Sequence, residues 1–261
     1  MPTDPQLRPR LLAGETLLGT FLGLGSPAAT DLCARAGFDW LLVDLEHGVV
    51  GEADLLPHLL AIAGSGTTAL VRVEQGTRLR IGRALDLGAD GVMVPQVSSA
   101  DEARDIVSWV RYPPVGRRGI ALSTRGLGYG RGGHGSVGPR SEELTCIVQV
   151  ESRAALDQVE AIAAVDGVDA IFVGPTDLSH ALGAPGQLGH PDYQAAIERI
   201  ARAARAYGKA CGVLLWKPED ATRYVELGYT FFSVSSDVPL LDRAVKDGLS
   251  AVRATVEAAR G

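Results

Sequence analysis

FDWLLVDLEHG (38–48), VQVES (148–152) and GVDAIFVGPTDLS (167–179) are the stretches that decide the fold. Each is an apolar run of strand length that stops abruptly at acidic residues. Runs with no polar alternation belong to parallel strands covered on both faces. Polar residues at the ends of such strands collect on one rim of the sheet, the place where a barrel enzyme keeps its chemistry.

Working outward, similar apolar runs recur at 17–23, 40–44, 68–73, 91–97, 146–151, 170–174, 210–215 and 231–235, which makes eight. Amphipathic stretches with helical spacing lie between most of them, at 53–63, 79–87, 101–110 and 154–164. Several of these are opened by capping residues such as Ser98, Ser99 or Asp220. Strand alternating with helix eight times predicts an α/β fold, one closed (β/α)8 TIM barrel occupying residues 1–261 as a single domain. The length of 261 residues fits that architecture without a second domain. A glycine-rich segment, RGLGYGRGGHGSVG (125–138), falls before the fifth strand and is expected to form a mobile loop on the side of substrate access or a surface insertion.

Composition narrows the function. With 46% hydrophobic and 21% charged residues the chain has the make-up of a soluble α/β protein. A net charge of −6 leaves no basic footprint for nucleic acid or an anionic membrane. No apolar run approaches the length of a membrane span, and residues 1–15 lack the apolar stretch of a signal peptide. Cys33, Cys146 and Cys211 are few and far apart, which predicts reduced thiols in a cytoplasm.

Glu151 closes the fifth run and Asp177 lies three residues past the sixth, so neighbouring strands bring two carboxylates to one rim. Two carboxylates with water and substrate oxygens suit a hard cation such as Mg²⁺ or Mn²⁺. Capping or an ion pair would explain the same residues structurally. The turn Gly174-Pro175-Thr176-Asp177 also exposes the Thr176 and Asp177 amides at a helix start, where a carboxylate binds well. Across the rim, His47 is placed to act as general base and Arg72 to stabilise an oxyanion. A rim histidine held by a carbonyl, and an arginine paired with Asp44 or Glu46, are the structural alternatives.

These motifs in this order, together with Val94-Pro95, RYPPVGRRG (111–119) and ALDLGADG (84–91), resemble the metal-dependent class II pyruvate aldolases of the HpcH/HpaI family, within the phosphoenolpyruvate/pyruvate barrel superfamily. The resemblance covers about 17–240. It implies an aldehyde-lyase that cleaves a 4-hydroxy-2-oxo acid to pyruvate, or a related 2-oxo acid, and an aldehyde through a metal-stabilised enolate. By that resemblance Glu151 and Asp177 bind Mg²⁺, Mn²⁺ or Co²⁺, Gln149 supports the water shell, and Arg72 meets the pyruvate carbonyl oxygen. His47 is the acid/base, oriented by a carboxylate matching Asp86 with Asp44 nearby. The Thr176 and Asp177 amides, after Gly174, hold the pyruvate carboxylate, and Leu214 lines the pocket. The resemblance also implies a homohexamer, a dimer of trimers, in which a last helix over about 240–259 is exchanged between barrels.

The chain departs from that pattern on the aldehyde side. Phe21 stands where a tryptophan is usual, Gly48-Val49-Val50 follows Glu46-His47, and Trp216 follows Leu215. Three rivals remain: a Schiff-base aldolase using Lys217, the candidate among Lys209, Lys217 and Lys246; another enolate-forming lyase using Arg117, Arg118 and Arg125 for a phosphate or CoA; and a non-enzymatic barrel.

Overall fold

The computed structural model describes residues 7–260; Met1 to Gln6, where the reading for a signal peptide begins, lie outside the described residues. Eight parallel strands close into a barrel in sequential order: β1 (Leu17–Leu22), β2 (Trp40–Asp44), β3 (Thr68–Arg72), β4 (Gly91–Val94), β5 (Thr145–Val150), β6 (Ala170–Val173), β7 (Ala210–Leu214) and β8 (Phe231–Ser236). The expected fold and all eight strand positions are borne out. The helices are α1 (Leu7–Leu12), α2 (Pro27–Ala34), α3 (Leu55–Ile62), α4 (Arg78–Asp86), α5 (Ala100–Val110), α6 (Val137–Glu143), α7 (Arg153–Asp157), α8 (Val159–Ala163), α9 (Pro175–Ala181), α10 (Pro191–Ala206), α11 (Ala221–Leu227) and α12 (Asp237–Ala258).

Side chains alternate across each strand. Leu41, Val43, Val71, Val148 and Ile171 belong to the apolar layer under the helices, whereas Trp40, Leu42, Leu70, Met93, Ile147, Phe172 and Phe231 fill the barrel. The interior is aromatic at its centre: Trp40 stacks on Phe231 at 4.5 Å between ring centroids, and Phe172 meets Phe231 edge-on at 5.9 Å. Gly212 makes this possible, since a Cβ there would stand 2.6 Å from Phe172 and 2.7 Å from Phe231. Followed upward, the inward positions change from apolar to polar, Leu42 to Asp44, Leu70 to Arg72, and Ile147 to Gln149 to Glu151. The same period that fills the core therefore points the rim residues inward.

Two segments differ from expectation. The helix expected over 154–164 breaks at Gln158 (φ −108°, ψ 13°) into α7 and α8. The glycine-rich segment folds into two short 3₁₀ turns, Arg125–Gly130 and Gly133–Ser136, that run into α6. It connects a helix to a strand and so lies at the end of the barrel where strands begin, opposite the catalytic rim. Arg125 donates there to the carbonyls of Leu87 and Gly88. A substrate-access loop on this chain's own site is thereby corrected.

Among the described residues no helix is long and apolar enough to cross a membrane. The last helix, α12, runs 22 residues and packs chiefly against β1 and β8 among the described residues. It exposes Val238, Leu241, Val245, Leu249, Val252 and Val256 along one stripe.

Candidate active site

Strands β2 and β3 end side by side, with Asp44 in register with Arg72. The guanidinium and carboxylate form a buried fork: Arg72 Nε donates to Asp44 Oδ1 at 2.8 Å and Nη2 to Oδ2 at 2.6 Å. Asp44 Oδ1 also accepts the backbone N–H groups of Glu46 and His47 at 3.1 and 3.3 Å, which folds the chain back over the rim. Arg72 Nη1 lies 3.0 Å from Glu46 Oε2 and 3.5 Å from Gln149 Oε1, and its Cζ sits 5.0 Å from the Phe21 ring centroid.

From the other side, Glu151 reaches into the same space. Its Oε1 accepts the Gln96 N–H at 2.7 Å and its Oε2 accepts Gln149 Nε2 at 3.0 Å. Gln96 holds a positive φ of 55°, an uncommon conformation for a residue with a side chain. Burial pushes the Glu151 carboxyl up to about 7; the Gln96 N–H opposes that rise, and the nearby Asp177 and Glu46 carboxylates add to it. Glu46 is likewise raised, by burial first, with Arg72 and His47 opposing and Asp44 and Asp177 reinforcing. Four carboxylates, Asp44, Glu46, Glu151 and Asp177, thus face one arginine, which Asp44 already engages through two bonds.

These groups border a cavity of about 270 Å³ lined by Phe21, His47, Arg72, Gln149, Glu151, Phe172, Gly174, Pro175, Thr176, Asp177 and Leu214. The structure brings together every residue singled out from the sequence except two, Asp44 standing just behind Arg72. Asp86 is the first exception: it ends α4, which descends from the rim, and it pairs with the buried Arg118 at 2.6 Å. It cannot orient His47 of its own chain. Trp216 is the second, lying outside the cavity against Gly186 in the loop after α9. His47 is two-thirds exposed, with Nε2 3.8 Å from Glu46 Oε2. Glu46, read from sequence only as a partner of Arg72, and Gln96 belong to the site as well. Both lie beyond the strand ends, where strand periodicity no longer tells which way a residue points.

None of the three lysines lines the cavity; Lys209 lies at the strand-start end and Lys246 pairs with Asp242 on α12. Arg117, Arg118 and Arg125 are engaged elsewhere, by Asp105, by Asp86 and by backbone carbonyls. The Schiff-base and phosphate-binding rivals therefore lack their residues at this site.

Residues 17–244 match the HpcH/HpaI aldolase/citrate lyase family. The chain belongs to that family. It is 40% identical over 236 residues to a 2-keto-3-deoxy-L-rhamnonate aldolase of Klebsiella pneumoniae, covering 90% of this chain and 88% of the relative. It is 41% identical over 228 residues to a 5-keto-4-deoxy-D-glucarate aldolase of Salmonella paratyphi C, covering 87% and 89%. The crystal structure of an HpcH/HpaI aldolase/citrate lyase family protein from Burkholderia cenocepacia superposes with a TM-score of 0.89 at 38% identity, covering 95% of this chain and 98% of that one. The aldolase expected from sequence is borne out at the level of family and reaction type: this HpcH/HpaI chain is a carbon–carbon lyase.

Proposed function

We propose that this aldolase cleaves a 4-hydroxy-2-oxo acid reversibly into pyruvate, or a related 2-oxo acid, and an aldehyde, with a divalent cation held by Glu151 and Asp177. The observation that carries this reading is the surplus of negative charge around the cavity: oxygen donors of this kind, with no cysteine or second histidine, fit Mg²⁺, Mn²⁺ or Co²⁺. Two protein ligands would leave the remaining positions of a hard cation to substrate and water oxygens. Bound there, the cation supplies Lewis-acid polarisation of the 2-oxo group.

The chain's own residues do the rest. The Thr176 and Asp177 amides, at the start of α9 where no helical acceptor exists, receive the substrate carboxylate. Arg72 has five N–H donors; Asp44 takes two, Glu46 and Gln149 engage others, and what remains meets the oxygen that becomes negative as the enolate forms. Asp44 fixes the plane of that guanidinium. His47, at the open side of the cavity, carries the proton to and from the aldehyde-derived hydroxyl. Phe21 and Leu214 wall the donor side and keep water from the enolate carbon.

In the same reading the protein is a homohexamer, a dimer of trimers, as the family resemblance implies, and the exposed stripe on α12 fits a helix packed against another copy. The three free cysteines, two of them buried, fit a cytoplasmic enzyme. Incubation of metal-loaded protein with pyruvate and aldehydes, with products identified by mass, tests the reaction. His47→Ala should lower aldol turnover by about 10²–10⁴; unchanged turnover would return His47 to a structural role.

A further inference from the structure

The His47 imidazole is two-thirds exposed, and its Nε2 stands 3.8 Å from Glu46 Oε2, beyond hydrogen-bond reach. Its place over the cavity is therefore set by the backbone on either side of it. On the near side Asp44 Oδ1 accepts the His47 N–H at 3.3 Å. On the far side the Val49 N–H donates at 3.1 Å to the carbonyl of Gly23, where the chain leaves β1. Gly48, between the two, packs so closely that a Cβ there would stand 2.3 Å from the Asp44 carbonyl oxygen and 3.2 Å from Gly23 Cα.

Gly23 is fixed in turn from the other end of the chain. Asp237, the first residue of α12, is buried; its Oδ1 accepts the Gly23 N–H at 2.8 Å and its Oδ2 the Leu24 N–H at 3.1 Å. Both oxygens thus serve the exit of β1 rather than the first turn of their own helix. A distorted turn aims them. Between the pairs Gly19–Ser233 and Phe21–Ser236, β1 has one residue, Thr20, and β8 has two, Val234 and Ser235. Ser235 takes a positive φ of 78°, and its carbonyl accepts the hydroxyls of Thr20 at 3.1 Å and Ser233 at 2.8 Å. A bulge of this kind re-aims the residues beside it, and strain held in place by surrounding bonds marks a position with a task.

Resting on the aldolase reading above, we propose that Asp237 is a positioning residue for His47: through Gly23 it sets where the imidazole stands, by bonds that involve neither Arg72, Glu151 nor Asp177. The last helix is thereby tied, through its first residue, to the loop that carries the acid/base.

In Asp237→Asn the side chain keeps its shape, but an N–H donor replaces one acceptor and faces an N–H that it cannot bond. The exit of β1 must shift, and a misplacement of about 1 Å near the reacting groups can cost about 10²-fold. The test is a double-mutant cycle with His47→Ala, read on aldol addition of pyruvate to glycolaldehyde. Alone, Asp237→Asn should lower kcat by about ten- to a hundredfold at an unchanged KM for pyruvate. In the His47→Ala background it should lower kcat no further, since the group it positions is gone. Asp237→Glu, which keeps both acceptors but sets them farther out, should behave the same way and serves if the asparagine variant fails to fold. An equal loss with and without His47, a loss carried by the KM for pyruvate, or a wild-type rate in both variants would overturn the positioning role alone. A wild type that neither exchanges pyruvate methyl protons with deuterated water nor adds pyruvate to an aldehyde would overturn the aldolase reading and this inference with it.

Discussion

Gly174 and Glu151 are in such close contact that a Cβ at position 174 would overlap Glu151 Oε2. Glycine at the turn out of β6 is therefore required by the neighbouring carboxylate, and its φ of −87° shows that backbone conformation is not the reason. Gly174→Ala should displace Glu151 and cost about 1–3 kcal/mol of stability by overpacking. Divalent-cation affinity, read by calorimetric titration, should fall by a larger factor than the melting temperature suggests. An alanine variant with native affinity would show that Glu151 is free to move.

Asp44 matters through Arg72. Removing one partner of a buried, doubly bonded pair strands the other charge and typically costs about 3–5 kcal/mol. Asp44→Asn should accordingly lower the unfolding free energy by that order and reduce aldol turnover by about 10²–10³, the loss expected when an oxyanion donor is misaligned. Arg72→Lys keeps the charge but loses the planar fork, so it should not recover the activity. Denaturant melts and steady-state rates of both variants check this, and a near-native Asp44→Asn would separate the pair from the chemistry.

The raised Glu151 carboxyl gives a pH dependence with a defined sign. In the unfolded chain the group ionises near the ordinary glutamate range, and in the folded, metal-free protein only near about 7. Between those values the folded state holds more protons, so this group's contribution to stability falls as pH rises from about 4.5 to about 7. Cation binding needs the ionised form, so affinity should rise over the upper part of that interval. Melting temperatures of chelated wild type and Glu151→Gln at pH 5 and pH 7.5 isolate the effect: the wild type should lose stability relative to the variant as pH rises. A constant difference would contradict the shift.

Much of this was legible in the sequence for one physical reason: strands buried on both faces leave uninterrupted apolar runs, and their ends mark the rim. Glu151, Arg72 and Asp44 continue the inward period of β5, β3 and β2, so their positions followed from the strands. Glu46 and Gln96 did not, because each sits in a turn whose direction comes from tertiary hydrogen bonds. Asp86 was misplaced within the chain for a related reason. A motif records which residues occur together, whereas the descent of α4 fixes at which end of the barrel they stand. The break at Gln158 lies inside an apolar pattern that reads as one continuous helix.

Among the described residues nothing covers the stripe on α12. Leu241→Glu with Leu249→Glu should convert the proposed hexamer to smaller species while leaving the barrel folded, because these side chains are half exposed among the described residues. Light scattering with size-exclusion chromatography at micromolar concentration reads the mass. A monomeric wild type would remove the need for a partner helix.

The central claim is that Glu151, Asp177 and Arg72 together generate an enolate from pyruvate with a divalent cation, before any aldehyde arrives. Proton NMR of pyruvate in deuterated water, with no aldehyde present, measures that step alone. Loss of the methyl signal should accelerate when Mn²⁺ or Mg²⁺ is added to stripped wild-type protein and should not accelerate with Glu151→Gln. Rapid exchange by thoroughly stripped wild type, or by Glu151→Gln at the wild-type rate, would contradict the account.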